Sequence, residues 1–218
     1  SPILAPLAGS AVIGLAGWRG VFWAVSVAAV LGLLAMVRGM PETRSAADRH
    51  GSSLGDSFKA YGLLLRDTHY LGLVFIGACA MAGFFVYLAG SSFVMINHYG
   101  LSTTQYSVAF ALNAVAFIGA AQLTGPLGKR YGLARVVKLA ASASGVVMLA
   151  LLSYYVLGGD QLAVLIGLYF IASAFMGLVI PTTSVLALEA HGAIAGTASA
   201  LLGTLQMLSG AIAMQVVG

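Results

Sequence analysis

Charged residues are scarce in this sequence of 218 residues, and long stretches of it contain none. Only 7% of the residues are charged and 60% are hydrophobic, whereas about a quarter of the residues of an ordinary soluble domain are charged. The mean hydropathy is +0.99, and a water-soluble surface cannot be built from such a composition. An all-α membrane protein is therefore predicted, with room for six or seven helical crossings of about 20 residues each.

Cysteine is almost absent too. Cys79 is the only one and lies inside an apolar run, so an internal disulfide is excluded. A signal peptide is not indicated, because Ser1 is followed at once by Pro2 and Pro6 without a basic segment. We expect the sequence to be an excerpt that begins inside a helix.

Six apolar runs without Asp, Glu, Lys or Arg are predicted to cross the bilayer. They are residues 20–37, 70–96, 104–127, 139–157, 161–188 and 192–218. Residues 1–15 form a seventh apolar stretch, which we interpret as the second half of a helix. Membrane lipid is thus expected to surround most of the chain.

The net charge of +4 is gathered on one side of the predicted membrane. The segment 38–69 holds Arg38, Arg44, Arg49, Lys59 and Arg66, and the segment 128–138 holds Lys129, Arg130, Arg135 and Lys138, which leaves only Arg19 of the ten basic residues elsewhere. Two crossings separate these segments, so both lie on one face, which is predicted to be cytoplasmic because cytoplasmic loops are rich in Lys and Arg. The basic residues form no face interleaved with aromatic residues, and no nucleic-acid partner is expected.

The segment 38–69 is predicted to contain a short amphipathic helix. Ser53 followed by Asp56 fits a capping box. Apolar residues then recur at helical spacing at Leu54, Phe58, Tyr61 and Leu65. Such a helix would lie on the inner membrane surface with Lys59 and Arg66 towards lipid head groups; a disordered linker is the alternative.

Small residues recur every three or four positions near the end of the chain. They are Gly192, Gly196, Ala200 and Gly203. Stripes of this kind allow membrane helices to approach closely, so these residues are predicted to pack against another helix.

Five groups of residues resemble motifs of a known family. Residues 1–10 place the small residues Ser1, Ala5 and Gly9 around Pro6, residues 17–23 read Gly-Trp-Arg-Gly-Val-Phe-Trp, and residues 40–43 read Met-Pro-Glu-Thr. A basic motif follows at Gly125, Gly128, Lys129, Arg130 and Gly132. Residues 195–203 read Ala-Gly-Thr-Ala-Ser-Ala-Leu-Leu-Gly. In this order and separation they resemble the major facilitator superfamily, and the last is similar to the eleventh helix of Bcr/CflA-type drug:proton antiporters.

The resemblance implies a major facilitator-type helical bundle, a fold of two six-helix halves. Residues 1–37 would end the N-terminal half with part of helix five and helix six, 38–69 would be the cytoplasmic linker, and 70–218 would hold helices seven to eleven. Residues 1–10 correspond to the antiporter motif, in which Ser1, Ala5 and Ser10 replace glycines. The basic motif corresponds to the cytoplasmic gating loop, in which Lys129 replaces the usual Asp. The missing helices of the same transporter are the expected protein partner.

No ionisable residue lies within the predicted spans, because the acids and histidines fall in loops or at span ends. The resemblance implies a proton as the coupling ion and no other cofactor, and its carrier is expected in helices outside this sequence. There is no metal-ligand cluster, nucleophile triad or phosphate-binding glycine loop in the sequence. An enzyme is therefore not expected.

Uncharged polar residues are the remaining candidates for a substrate cavity. Asn113 and Gln122 share one span and Gln206 and Gln215 another, and nine residues of separation places the members of each pair on opposite helical faces. Asn113 and Gln206 are preferred because they lie nearer the span centres, where an unpaired amide is costliest. The alternative is that they only bridge helices.

Aromatic and methionine side chains complete the candidate cavity. They are Phe84 and Tyr87, together with Phe85, in one span and Phe175 and Met176 in another. Such a pocket would suit lipophilic or cationic compounds through packing and cation–π contacts. Proton-coupled efflux of drugs or small amphipathic compounds across a bacterial inner membrane is the leading hypothesis, with an uptake or exchange carrier and an inactive structural fragment as alternatives.

Overall fold

The structure is a computed structural model that describes residues 4–40 and 54–217, with side chains from residues 12 and 55 onward in the two ranges. The described residues form helices and no strand. Six of their helices are long and apolar enough to cross a membrane, which confirms the predicted all-α fold with six full spans. The chain divides into two units, Ser1–Asp56 and Ser57–Gly218.

The first unit contains helix α1, Leu4–Gly39, which is interrupted at one residue. Gly17 adopts φ +67° and ψ −179°, a conformation that glycine reaches without the penalty of a Cβ atom. The helical backbone is therefore divided into residues 4–16 and 18–39. A Cβ atom on Gly20 would lie 2.5 Å from the Cβ atom of Ala16, so glycine is also required after the turn. The predicted boundary between the partial helix and the first full span thus lies at Gly17.

Helix α2, Leu54–Leu64, forms within the predicted linker. Ala60 and Leu64 are buried, whereas Phe58 and Leu65 of the predicted membrane-facing side are 74% and 54% exposed. The exposed apolar side chains remain available to a membrane surface. Ser53 of the predicted capping box lies outside the described residues.

The second unit continues with five long helices and one short one. They are α3 (Thr68–Ser92, extended by a π-helical segment Phe93–His98), α4 (Thr103–Gln122), α5 (Thr124–Tyr131), α6 (Leu133–Val156), α7 (Leu162–Glu189) and α8 (Ala195–Val217). Helix α3 packs against α7 and α8, and α7 also packs against α4 and α6. Helices α3 and α7 are thus the centre of the unit.

Local signals in the sequence explain where these helices begin. Asp67 caps α3 by accepting hydrogen bonds from the backbone N–H groups of His69 and Tyr70 at 2.8 and 3.1 Å. Ser102 and Gln105 form a reciprocal capping box at the start of α4. The predicted span 104–127 is divided at Leu123 into α4 and α5.

The helices alternate in direction, so the second unit has two ends. We call one the basic end, because its connections hold Arg66, Lys129, Arg130, Arg135 and Lys138; His69 of α3 and Lys138 of α6 line one groove there. At the opposite end, His98 contacts Asp160, which lies between α6 and α7. Within the second unit, residues 57–69 of the first basic segment and the second basic segment therefore share one end, as the sequence predicts.

Within the second unit, the face of α8 that packs against α3 is a different row from the predicted stripe. A Cβ atom on Gly192, Gly196 or Gly203 would meet nothing within 4 Å, and Ala200 is exposed. The buried row is Ala198, Leu202, Gln206 and Gly210, in which a Cβ atom on Gly210 would collide with the ring of Phe85. This row also repeats every four residues, so the spacing in the sequence does not distinguish the buried face of α8 from the face that carries the stripe. The contacts with α3 distinguish them.

Candidate functional site

A buried amide and a buried phenol meet between α3 and α4. Asn113 Nδ2 donates a hydrogen bond of 2.8 Å to the hydroxyl oxygen of Tyr87 and lies 3.2 Å from the carbonyl oxygen of Ala109. Asn113 is 3% exposed and Tyr87 is 9% exposed. The Oδ1 atom of Asn113 is buried without a hydrogen-bond partner among the described residues. Since a buried polar atom without a partner is costly, this acceptor is a place where a ligand or water could bind.

Two further aromatic rings enclose Tyr87. The ring of Tyr169 on α7 stacks on it with centroids 4.2 Å apart, and Phe110 on α4 stacks with centroids 5.8 Å apart. The planes differ by 16° and 14° respectively. We call Tyr87, Phe110, Asn113 and Tyr169 the aromatic–amide cluster. Sequence reasoning did not select Phe110 or Tyr169, although a tyrosine in the middle of an apolar span was an available signal.

A second buried amide lies between α8 and α3. Gln206 is 4% exposed, and its Nε2 atom has no partner among the described residues. A Cβ atom on Gly77 would lie 2.5 Å from Gln206 Nε2 and 3.0 Å from Thr183 Oγ1. Gly77 therefore provides the space in which the amide lies against α3.

The two preferred amides occupy different levels of the bundle. Tyr87, the partner of Asn113, and Gly77, the neighbour of Gln206, are separated by ten positions on α3, which is about 15 Å along a helix axis. Asn113 and Gln206 are therefore not brought together. Their counterparts Gln122 and Gln215 are exposed. This agrees with the prediction that the two amides of each pair lie on opposite faces of their helix.

The remaining cavity candidates are dispersed. Phe84 contacts Phe85 and Phe117, with ring centroids 6.0 and 5.9 Å away. Met176 lines a cavity of about 380 Å³ between α3, α6 and α7, together with Tyr169 and Cys79. Phe175 lines a separate groove of about 460 Å³ beside α6. In the described part of the chain, Tyr87 and Asn113 are thus the only two of the six predicted cavity residues joined by a hydrogen bond.

The basic motif forms α5 and the turn that follows it. Gly132 adopts φ +82° between α5 and α6, and a Cβ atom on Gly128 would collide with the side chain of Leu133. Lys129 and Arg130 are exposed, and the Arg130 guanidinium lies 5.2 Å from the ring centroid of Tyr131. Within the described residues neither cation pairs with an acid. Gly125 is exposed in the first turn of α5.

The antiporter-like motif can be placed only in part. Ala5, Pro6 and Gly9 lie within helix α1, while Ser1 lies outside the described residues, as do the side chains of the other three. Among the described residues, no group of His, Cys, Asp and Glu could hold a metal ion.

The aromatic–amide cluster has a definite chemical capacity. Its rings are of the type that attracts apolar groups and cations, Tyr169 also lines the cavity of about 380 Å³, and Asn113 adds a carbonyl-type acceptor that can receive a hydrogen bond. These are the features of a small-molecule site rather than of a nucleophile and its base.

Comparison with known proteins gives relatives along the whole chain. An uncharacterised MFS-type transporter, YdgK, of Bacillus subtilis is 32% identical over 220 residues, which cover 100% of this chain and 54% of YdgK. A bicyclomycin resistance protein homolog of Haemophilus influenzae is 26% identical over 220 residues, covering 97% of this chain and 53% of that protein. The multidrug transporter MdfA of Edwardsiella piscicida is 32% identical over 110 residues, covering 50% of this chain and 26% of MdfA.

The chain spans about half the length of the first two relatives. The match to a bicyclomycin resistance homolog agrees with the resemblance to the Bcr/CflA type. A family model described as Major Facilitator Superfamily matches residues 1–214, nearly the whole chain, and points to a multi-pass membrane transporter rather than an enzyme. The chain belongs to the Major Facilitator Superfamily.

Proposed function

We propose that this chain is part of a secondary transporter that exports drugs or small amphipathic compounds by alternating access. The names of two relatives, a bicyclomycin resistance homolog and a multidrug transporter, support efflux. Proton coupling is included because the resemblance is to drug:proton antiporters. The bacterial inner membrane is the proposed location, since the relatives are bacterial.

The observation that carries the proposal is the aromatic–amide cluster. Tyr87 is stacked between Tyr169 and Phe110, and Asn113 Oδ1 is a buried acceptor without a partner in the described residues. A lipophilic compound with a cationic or donor group would place its apolar part against the rings and its donor on the amide oxygen. This combination favours amphipathic compounds over strongly charged metabolites, which would leave charges unpaired in an apolar site.

Orientation is a further part of the proposal. The basic end of the second unit faces the cytoplasm, because Lys and Arg are enriched in cytoplasmic loops. The other cavities of the unit could admit lipid or further helices of the transporter. The residues that carry the coupling proton are proposed to lie in helices outside this chain.

Binding of a fluorescent lipophilic cation to the purified protein, expressed with any flanking sequence that its gene encodes, tests the proposed site. Replacing Tyr169→Leu removes one stacked ring and is expected to weaken binding about fivefold, because an aromatic contact contributes about 1 kcal/mol. Tyr154→Leu is the matched control. Tyr154 lies outside the aromatic–amide cluster and contacts Tyr155 near the end of α6 that is away from the basic end. Equal binding by wild type and the Tyr169 variant would remove the cluster from the substrate site.

An uptake or exchange carrier of the same fold is the second candidate. The small residues that replace glycines in residues 1–10 favour it, since they weaken the antiporter-like motif. The direction of proton-driven flux distinguishes the two functions.

A further inference from the structure

A histidine is buried where three helices meet at the basic end. His191 follows the end of α7 and is 9% exposed. Its ring meets the ring of Tyr70 edge-on, with centroids 5.3 Å apart, and Tyr70 donates a hydrogen bond of 2.6 Å to the carbonyl oxygen of Ala198 on α8. The histidine thus lies at the junction of α3, α7 and α8.

Both ring nitrogens of His191 face oxygen atoms. Nδ1 lies 3.1 Å from the carbonyl oxygen of Ala187, and Nε2 lies 3.1 Å from Asp67 Oδ2. A carbonyl oxygen only accepts hydrogen bonds, and so does an ionised carboxylate. A neutral imidazole carries a single N–H, so it can satisfy only one of these oxygens. A ring that carries both protons is the form that places an N–H opposite each of the two oxygens.

Asp67 is held in its ionised form by its place at the start of α3. Its Oδ1 atom accepts the backbone N–H groups of Tyr70 and His69, and the pKa of this carboxyl is lowered chiefly by the hydrogen bond from Tyr70. One carboxylate oxygen is thus committed to the helix cap. The other oxygen is available to the N–H of His191.

Other titratable groups at this end do not replace Asp67. Helix α3 contributes His69 and Tyr70, α7 contributes Glu189, and α2 contributes Tyr61 and Lys59, while Arg66 lies in the turn between α2 and α3. Helix α8 carries no charged or histidine residue. Of the described acids, Asp67 is the one in contact with His191.

The opposite end provides a contrast. His98 Nε2 lies 2.9 Å from both oxygens of Asp160, and the pair is about half exposed, at 55% and 52%. A neutral ring with its proton on Nε2 can donate to that carboxylate, so this pair forms without a second proton. Of the two pairs, the one at His191 has an oxygen within 3.1 Å of each ring nitrogen.

We propose that His191 is a proton-binding site that fastens the basic end of the bundle. The doubly protonated ring bridges Ala187 of α7 and Asp67 of α3, and the loss of one proton leaves an acceptor facing an acceptor. Helix α3 is then released from the turn between α7 and α8. Protons from the side that the basic end faces therefore stabilise the closed arrangement of these helix ends. The site is independent of the proposed substrate and of the direction of transport.

Nuclear magnetic resonance of protein with ¹⁵N-labelled histidine tests the protonation state directly. The signal of His191 is assigned by its loss in His191→Gln. We expect the doubly protonated fraction of the His191 ring, compared at one pH, to fall in Asp67→Asn. A fraction unchanged by Asp67→Asn would overturn the proposal.

Electron spin resonance distances test the fastening itself. Spin labels at Arg66→Cys and Ala193→Cys in a Cys79→Ala background report on the basic end, since Arg66 and Ala193 are exposed. Labels at Asn97→Cys and Leu157→Cys report on the opposite end as the control. The distance distribution at the basic end should broaden between about pH 5.5 and about pH 8.5, on either side of the ordinary histidine value, while the control stays constant.

Two variants keep this result interpretable. In His191→Gln and Asp67→Asn the broadening with pH should disappear, and Asn retains the capacity to cap α3. Broadening that persists in either variant, or a basic end in wild type with the same distribution at both pH values, would contradict the proposal.

Discussion

Asn113 donates a hydrogen bond of 2.8 Å from Nδ2 to the hydroxyl oxygen of Tyr87, while its Oδ1 atom remains buried without a partner in the described residues. Most buried polar atoms in native proteins have a hydrogen-bond partner. The unpaired acceptor therefore supports a role in binding, which a substitution at Asn113 tests.

Asn113→Leu should weaken binding of a lipophilic cationic dye about fivefold, because a lost hydrogen bond costs about 1 kcal/mol. The free energy of unfolding should also fall by about 1–3 kcal/mol, because the buried Tyr87 hydroxyl loses its partner, so binding is compared at a temperature at which both proteins are folded. Binding and unfolding are measured on the same detergent-solubilised sample. Gln122→Leu on the exposed face of α4 is the matched control, and equal dye affinity in the two variants would contradict a binding role for Asn113.

Gly77→Ala should destabilise the protein by about 1–3 kcal/mol, because an added methyl group overpacks a closely packed contact. The new Cβ atom would lie 2.5 Å from Gln206 Nε2. Thermal unfolding in detergent measures the effect. Gly72→Ala on the same helix is the control, since a Cβ atom there meets nothing within 4 Å.

Truncating the facing side chain should then restore the stability of the Gly77 variant. In the double variant Gly77→Ala with Gln206→Ala, the methyl group occupies space vacated by the amide. If the double variant is destabilised by the sum of the single effects, Gln206 is not the group that requires glycine at this position.

Acidification should weaken the contacts of Asp160 with His98 and Tyr99, at the end of the second unit that lies away from the basic end. Hydrogen bonds from the Tyr99 hydroxyl and from His98 lower the pKa of the Asp160 carboxyl, and burial together with its neighbours raises the pKa of Tyr99. A lowered carboxyl pKa in the folded state contributes stability above the ordinary carboxyl value of about 3.9, and this contribution is lost as pH falls through the folded-state value.

The difference in melting temperature between wild type and Asp160→Asn should therefore be present at about pH 6 and shrink towards about pH 3, on either side of that carboxyl value. Glu189→Gln is a suitable control, because the described structure shows no ion pair for Glu189. A difference in melting temperature that grows on acidification would contradict a stabilising role for the ionised Asp160 carboxylate.

Cysteine labelling in a Cys79→Ala background should find positions 131 and 157 on opposite sides of the membrane. Tyr131 at the basic end is 48% exposed and Leu157 at the opposite end is 86% exposed. We expect a membrane-impermeant reagent to label Leu157→Cys in intact cells and Tyr131→Cys only after the cells are opened. The reverse pattern would place the basic end outside.

The sequence predicted the crossings because each apolar run is long and free of charge, and it predicted the shared end of the basic segments because crossings alternate. It also predicted that Asn113 and Gln206 point away from Gln122 and Gln215, since helical periodicity is local. The stacking of Tyr87 on Tyr169 was not predictable, because it depends on how α3 and α7 cross. The stripe at Gly192, Gly196 and Gly203 failed as a packed face of this unit for the same reason: a second row of equal spacing lies on the other side of α8.

The pairs Asp67–His191 and His98–Asp160 join residues far apart in the chain. Sequence analysis placed all four residues in loops or at the ends of spans, and the alternation of crossings puts Asp67 and His191 at one end and His98 and Asp160 at the other. Which histidine faces which acid depends on the lateral order of the helices, and a uniformly apolar span carries little information about that order.

Transport into inverted membrane vesicles tests the central claim most directly. The protein is expressed with any flanking sequence that its gene encodes, and accumulation of a fluorescent lipophilic cation is followed under an imposed pH gradient. Drug:proton antiport out of the cell predicts that the dye enters vesicles whose lumen is acidic, that accumulation stops when the gradient is collapsed, and that Asn113→Leu reduces it while Gln122→Leu does not. Accumulation only with an alkaline lumen, or none in either direction, would contradict export.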